Sequence, residues 1–401
     1  MKAVVCGAGI AGLAAAQCLA RRGWEVVVLE RAPGPRAQGY MIDFMGPGYD
    51  AVEAMGVLPR LRELGYDVEE AGYYDESGRQ RAVIRYDAFA KPVGGRLLSI
   101  MRPDLESALR ESLPEDVELR FGAEVVGVSD GAGSVRVDTA DGAPFEADLL
   151  VGADGVHSTV RELAFGPESG FLKYLGFHTA AYTFEDPEVQ ALVRDRFCLS
   201  DSIGAELGCY GLRDGRVAVF AVHRATDPTL PEDRVAALRR EYRRLGWVAP
   251  RVLAACPPND EVYYDQVAQI VMPRWSSGRV VLVGDAGYAV SLLAGMGASL
   301  GIGGAYVLAE QVARAATVPE ALGNYERLWR PVVADKQAAA LKSARWFLPR
   351  SRGELLARRA ALRLFLLPVL NRFLVKFLSG KETAVVRALA SAPDAAGSPV
   401  R

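Results

Sequence analysis

The stretch Ala3-Val4-Val5-Cys6-Gly7-Ala8-Gly9-Ile10-Ala11-Gly12 decides the fold, together with the helix-like run to about Arg22, the stop at Gly23 and the segment Glu25-Val26-Val27-Val28-Leu29-Glu30. A short apolar strand runs into a glycine-rich turn, the turn opens a helix, and the helix leads to a second apolar strand. This is a βαβ unit. The glycines of Gly7-x-Gly9-x-x-Gly12 have separate tasks: a tight turn, close approach of backbone to a pyrophosphate, and close packing of helix on strand. The phosphates then meet free N–H groups and the positive end of the helix dipole. Glu30 lies 18 residues beyond Gly12, where a carboxylate accepts hydrogen bonds from a ribose. Its charge argues against a 2′-phosphate, so FAD or NAD is expected at this site rather than NADP.

The remaining composition narrows the function by exclusion. At roughly 150 residues per domain, 401 residues predict two or three domains with ample core. Lys plus Arg number 47 against 49 Asp plus Glu, a net charge of −2, so neither a nucleic acid nor an acidic membrane surface is an expected partner. Only seven of the basic residues are Lys, a bias that fits a GC-rich coding genome better than Arg-mediated recognition. Five Cys and three His (157, 178 and 223) are too few and too scattered for a metal site or a secreted disulfide framework. Demanding chemistry is therefore expected from a cofactor rather than from a His-based triad. The apolar run Ala3–Ala20 resembles a secretory signal, but Gly7, Gly9, Gly12 and Gln17 break its density, and the expected location is the cytoplasm. No feature of the sequence speaks to oligomeric state.

Three more segments specify the dinucleotide. Asp148-Leu-Leu-Val-Gly-Ala-Asp154-Gly155-Val-His-Ser158-Thr-Val-Arg161 reads as a buried strand, a turn and a helix. Gly278-Arg-Val-Val-Leu-Val-Gly284-Asp285-Ala286 is another strand ending in an acid, followed by Ala294-Gly-Met-Gly-Ala-Ser299 and a helix from about Leu300 to Ala315. Met101-Arg102-Pro103-Asp104-Leu105 opens a helix reaching Leu113. In these motifs, over about residues 1–340, the sequence resembles the flavoprotein aromatic hydroxylases, single-component FAD monooxygenases of the para-hydroxybenzoate hydroxylase fold. The resemblance implies an α/β architecture in which a Rossmann-like FAD-binding domain is interleaved with an antiparallel β-sheet substrate domain and followed by C-terminal helices. It also implies cofactor contacts at Gly7, Gly9, Ala11, Gly12, Glu30, Arg31 and Arg36. Arg102 would bind the phosphate and ribityl region, Asp285 the ribityl chain, and Asp154 and Arg161 would serve FAD binding and reduction by NAD(P)H. The turn at Gly295, Gly297 and Ala298 would aim a helix N-terminus at the flavin pyrimidine.

One segment narrows the subfamily and five positions depart from it. Gly39-Tyr-Met-Ile-Asp43-Phe44-Met-Gly-Pro-Gly-Tyr49 resembles the segment that borders the flavin in tetracycline-inactivating and polyketide-tailoring monooxygenases, which places Asp43 at the cofactor, a turn-capping acid being the plain alternative. Where the family usually has His, Pro, Gln, Asn and an acid, this chain has Tyr288, Leu292, Met296, Ser299 and Gly304. Leu292 stands where the Pro carbonyl borders the flavin's reactive edge in many members. The resemblance implies a monooxygenase of secondary metabolism, such as antibiotic biosynthesis, that uses NAD(P)H and O2, through a flavin C4a-hydroperoxide, to oxidise a bulky aromatic or polyketide-like small molecule. The departures keep open a non-hydroxylating flavoenzyme on the same scaffold, either an oxidase or dehydrogenase or a cyclase with structural FAD.

Between the Asp154 and Asp285 motifs the period changes to that of strands: Tyr174–Phe184, Leu207–Leu212 and Arg216–His223 around an Asp214-Gly215 turn, and Val262–Met272, with a helix over Glu232–Leu245. Short strands near Ala71–Tyr74 and Arg81–Tyr86 join them. Tyr182, Phe184, Tyr210, Phe220, Tyr264 and Leu292 are the expected substrate-lining residues, and His223 is expected on a strand surface. The expected organisation is an FAD domain over 1–71, 99–170 and 274–335, a substrate domain over 72–98 and 171–273, a C-terminal helical segment over 336–390 and a frayed tail over 391–401. Within the helical segment, an apolar stripe from Leu362 to Phe377, broken at Pro368, is expected to pack across the two domains.

Overall fold

A computed structural model describes residues 1–36, 39–131, 133–142, 144–364 and 383–392. Its first layer is a six-stranded sheet in the order Ser276–Ser277, Val280–Leu282, Leu149–Gly152, Lys2–Cys6, Glu25–Glu30, Glu118–Phe121, parallel throughout except at the Ser276–Ser277 edge. Val5 pairs with Val28 on one side and Val151 on the other. The inner strands Lys2–Cys6, Glu25–Glu30, Leu149–Gly152 and Val280–Leu282 are apolar runs because both faces of the sheet are covered, by helices such as Ile10–Ala20 and by the small meander that includes Phe145–Ala147, leaving no solvated side to demand alternation. The helix Ile10–Ala20 packs on the helix Gly297–Arg314, and Gly301 faces Ala11 closely enough that a Cβ there would lie 3.2 Å from the alanine methyl.

The second large sheet has seven strands in the order Tyr263–Ile270, Leu172–Glu185, Arg216–Arg224, Ala205–Gly211, Arg196–Ser202, Glu70–Tyr74, Gln80–Arg85. Arg196–Ser202, which the sequence reading passes over, pairs antiparallel with Ala205–Gly211 and parallel with Glu70–Tyr74, so it ties the two stretches of chain into one sheet. The anticipated Glu232–Leu245 helix is shorter, Arg234–Glu241, capped at its N-terminus by Asp233. The helices Pro187–Val193, Arg234–Glu241 and Ala249–Ala254 cover one face of this sheet around Tyr182, Phe184, Leu207, Val219 and Tyr242. Two further small sheets, Met41–Met45 with Leu97–Met101 and a meander over Val125–Asp130, Val135–Thr139 and Phe145–Ala147, complete the described strands.

A 30-residue helix, Val318–Phe347, and the helix Arg352–Leu364 carry the chain back to the seven-stranded sheet, where Arg358 and Arg359 pair with Asp201 at 2.6 Å each. The apolar stripe from Phe365 to Phe377, with Pro368, lies outside the described residues, as do residues 393–401 of the expected tail. Among the described residues no helix is long and apolar enough to cross a membrane.

The departures at 288 and 304 form a matched pair. Tyr288 is buried against Trp275 at 4.6 Å between ring centroids, and its hydroxyl accepts from Tyr325 at 3.0 Å. A Cβ at Gly304 would overlap that hydroxyl and stand 2.8 Å from Trp329 Nε1. The missing side chain at 304 is thus the space the larger ring at 288 occupies. Gly304→Ala is expected to destabilise the protein by about 1–3 kcal/mol through overpacking. Combining it with Tyr288→Phe should restore part of the loss, both read as shifts in the thermal unfolding midpoint.

Candidate functional site

Four segments leave the carboxyl edge of the parallel sheet side by side, at the crevice where open α/β sheets bind ligands: the turns after Cys6, Glu30, Gly152 and Leu282. They open on one cavity of about 480 Å³ that continues to the uncovered face of the seven-stranded sheet. Gly7 has φ +104° and its missing Cβ would lie 2.6 Å from the Ala153 carbonyl oxygen, while a Cβ on Gly12 would overlap the Gly7 carbonyl oxygen. Only glycine permits this approach of two strands and a helix. The helix Ile10–Ala20 begins at Gly9 with no side-chain cap, so its first N–H groups face the cavity unclaimed by a side chain.

The acidic residues predicted for the cofactor occupy distinct positions around that opening. Glu30 accepts from the Ala8 N–H and the Ala32 N–H, each at 2.9 Å, and so shapes the glycine turn itself. Arg36 stands 3.8 Å from Glu30 and Arg102 forms a 2.6 Å pair with Glu106; all four line the cavity, as does Arg31. Asp154 lines the cavity while its carboxylate accepts from Ser158 Oγ at 2.5 Å and the Val160 N–H at 3.0 Å, which also caps the helix Thr159–Phe165. Asp43 lies within the strand Met41–Met45 rather than in a turn, and accepts from Tyr86 at 2.6 Å and Ser99 at 2.7 Å. Gly295, Gly297 and Ala298 line the opposite wall at the uncapped start of the helix Gly297–Arg314. Just before them Ser291 is held at φ +96°, a strained conformation for a non-glycine residue.

Arg161 lies elsewhere. It is fully buried behind the cavity, where it donates to the carbonyls of Ala286 (3.0 Å) and Val156 (2.8 Å) and to Glu168 (2.6 Å), binding the Asp154 loop to the Asp285 loop. Asp285 opens on the cavity, and among the described residues its carboxylate has no hydrogen-bond partner. Burial pushes this carboxyl up, and the nearby Arg102 opposes that shift. An orphaned carboxylate in a cavity wall is suited to accept from ligand hydroxyls. Cys6 reaches the same wall, but burial first, then Asp154 and Glu30, push its thiol well up, so it is no nucleophile.

On the sheet side three expected lining residues are corrected. Tyr182, Phe184 and Tyr264 face the helices instead, with the Tyr182 hydroxyl donating to the Val252 carbonyl at 3.0 Å and Tyr264 packed near His223. Tyr210 and Phe220, on the other parity, do line the cavity, as does Leu292. Both faces of these strands are apolar, so alternation alone identifies the parity but not which parity meets the ligand. His223 is not on a strand surface: it is buried between the Tyr242 hydroxyl (3.1 Å) and the Tyr264 hydroxyl (3.3 Å), and burial lowers its pKa to about 4.

The cavity also has walls that the sequence reading does not name: Tyr40 stacked obliquely on Phe220 (5.7 Å) and Tyr263 (6.3 Å), together with His157, Glu206, Asp265 and Phe347. The alternation Tyr263-x-Asp265-x-Val267 carried the signal for two of these, once the parity of Tyr264 is known.

Fold and site together define a dinucleotide-binding oxidoreductase scaffold, with glycine turn, uncapped helix start and orphaned acid matching the pyrophosphate and the polyol of FAD. The FAD binding domain family matches residues 1–339, and the chain belongs to it. An uncharacterized protein of Mycobacterium tuberculosis is 37% identical over 318 residues, 77% of this chain and 84% of the relative. The FAD-dependent monooxygenase asL6 of Sarocladium schorii is 31% identical, over 84% of this chain and 86% of its own. Among solved structures, the tetracycline destructase Tet(51) aligns with TM-score 0.79 and 25% identity over 95% of this chain and 98% of its own. Klebsiella pneumoniae HpxO complexed with FAD and uric acid aligns with TM-score 0.80 and 25% identity over 94% and 96%. The protein is therefore an FAD-dependent oxidoreductase of the flavin monooxygenase type, with the fold the sequence motifs imply.

Asp285→Ala is expected to abolish retention of FAD, measured as the flavin-to-protein ratio after purification. His157 offers a pH test. Its ring lies 3.3 Å from Asp265 and 3.0 Å from Glu168, and these hydrogen bonds raise its pKa to about 9. A raised folded-state pKa stabilises fully below the unfolded value of about 6.5 and is lost as pH climbs through the folded one. Between those limits the wild type should lose thermal stability that His157→Gln does not, in melts followed across this range.

Proposed function

We propose that this protein is an NAD(P)H-dependent flavin monooxygenase that places one atom of O2 into a bulky aromatic or polyketide-like small molecule. The observation that carries this reading is the continuous cavity running from the glycine turn at Gly7–Gly12 to the aromatic face of the seven-stranded sheet, in which cofactor and organic substrate would lie side by side. The tetracycline in the name of the destructase Tet(51) and the uric acid bound by HpxO, both oxygenated ring compounds, support a substrate of this kind.

The chain's residues would divide the work. Asp285 holds the ribityl hydroxyls and Arg102 the phosphate and ribityl region. The start of the helix at Gly297 places its dipole where negative charge develops on the cofactor. Bound FAD, once reduced, supplies the activation of O2. Phe220, Tyr40 and Leu292 would exclude water from the cavity and hold the substrate within it. No side chain is needed as nucleophile, because the cofactor carries the chemistry.

Stopped-flow absorbance tests the reading. NADPH or NADH should bleach the bound flavin, faster when an aromatic polyketide is present, and reoxidation in O2 should yield a product heavier by one oxygen atom. A flavin that resists both nicotinamides, or that returns only peroxide, would sink the proposal and favour the non-hydroxylating alternative to which Leu292 points.

A further inference from the structure

The charged groups that the seven-stranded sheet contributes to the cavity are both acids, Glu206 and Asp265, set among uncharged polar side chains such as Thr179, Gln266 and Tyr73. Glu206 is only 5% exposed, yet it lines the cavity; its Oε2 accepts from Arg358 at 2.8 Å, and among the described residues its Oε1 has no hydrogen-bond partner. Asp43 is built the same way, with Oδ1 shared by Tyr86 and Ser99 and Oδ2 left over. Among the described residues, none that the sheet or the C-terminal helices contribute to this wall is Lys or Arg. Phe197, Leu199, Phe220 and Phe347 supply its apolar surface. The cation nearest Glu206, Arg358, stands behind the wall rather than in it. It is held there by Asp201 at 2.6 Å and lies over the Tyr73 ring at 5.2 Å.

We infer that this end of the cavity selects a neutral, hydroxyl-bearing aromatic substrate and rejects an aromatic carboxylate, with Glu206 as the specificity-determining residue and Arg358 as the residue that positions it. The inference rests on the reading of this cavity as a substrate site. A phenol or alcohol O–H donates to an unfilled carboxylate oxygen and gains a charge-assisted hydrogen bond. A substrate carboxylate in the same place would be desolvated beside a like charge, and Arg358, already paired with Glu206 and Asp201, is not free to offset the cost. Arg358 serves by occupying Oε2, which leaves Oε1 as the acceptor presented to the ligand, and by anchoring the helix Arg352–Leu364 to the back of the wall.

Isothermal titration calorimetry of the FAD-loaded enzyme with aloe-emodin and rhein tests this, because the two anthraquinones differ only in a hydroxymethyl against a carboxylate. At mildly alkaline pH the wild type should bind aloe-emodin at least about 10-fold more tightly, a difference near 1.4 kcal/mol. Glu206→Gln keeps the size and an acceptor oxygen, and should shrink that ratio several-fold by raising the affinity for rhein, with flavin content unchanged. Equal or tighter binding of rhein by the wild type overturns the inference, as does binding of neither compound or an unchanged ratio in Glu206→Gln. The wild-type ratio is decisive even if the variant does not fold. An enzyme that oxygenates a substrate yet prefers rhein refutes this inference alone; one that discriminates as stated but is never reduced by NAD(P)H refutes the proposed function alone.

Discussion

The constraint on which the site depends is a close approach of backbones. The helix that follows the first strand sits so near the Gly7 carbonyl that Gly12 has no room for a methyl group, and Gly7 presses on the Ala153 carbonyl of the neighbouring turn. That double approach brings the carboxyl ends of adjacent parallel strands together, and their turns then open on one crevice. Glu30 reinforces it by accepting from the Ala8 N–H. Arg161 does the equivalent from behind, joining two of the turns through carbonyl contacts while remaining wholly out of the cavity. The position of Asp285, and of every cofactor-facing group near it, follows from these contacts.

The second sheet contributes by having two unlike faces. Residues of one parity are sealed under three short helices, and those of the other form the far wall of the cavity. His223 shows how complete the seal is: an imidazole between two phenol hydroxyls, kept neutral by burial across ordinary pH. Tyr210, two positions from Leu212 on the open face, instead uses its hydroxyl to bind the backbone N–H of Met41 and so joins the sheet to the strand that carries Asp43.

The unusual residues around Asp285 have local physical reasons. Tyr288 and Gly304 exchange volume, one gaining what the other lacks, and the buried ring is held by Trp275 and Tyr325. Leu292 has no such compensation in the structure; it simply presents an aliphatic side chain to the cavity.

The dinucleotide half was legible in the sequence because its signals are local: glycines at fixed spacing, apolar strands and acids at strand ends are set by backbone geometry over a few residues. From them the parallel sheet, the cofactor class and the ring of Glu30, Arg102, Asp154 and Asp285 all follow. The substrate half depended on choices made between distant segments. Whether Tyr182 or Thr179 faces the cavity turns on which face three helices cover, and Phe347 comes to the cavity wall, and Arg358 to the back of it, from helices far along the chain. Periodicity states that a strand has two faces, but long-range packing assigns each face its neighbour. For that reason the sequence by itself determined what the protein binds as cofactor, and only the tertiary structure decided which side chains line the rest of the cavity.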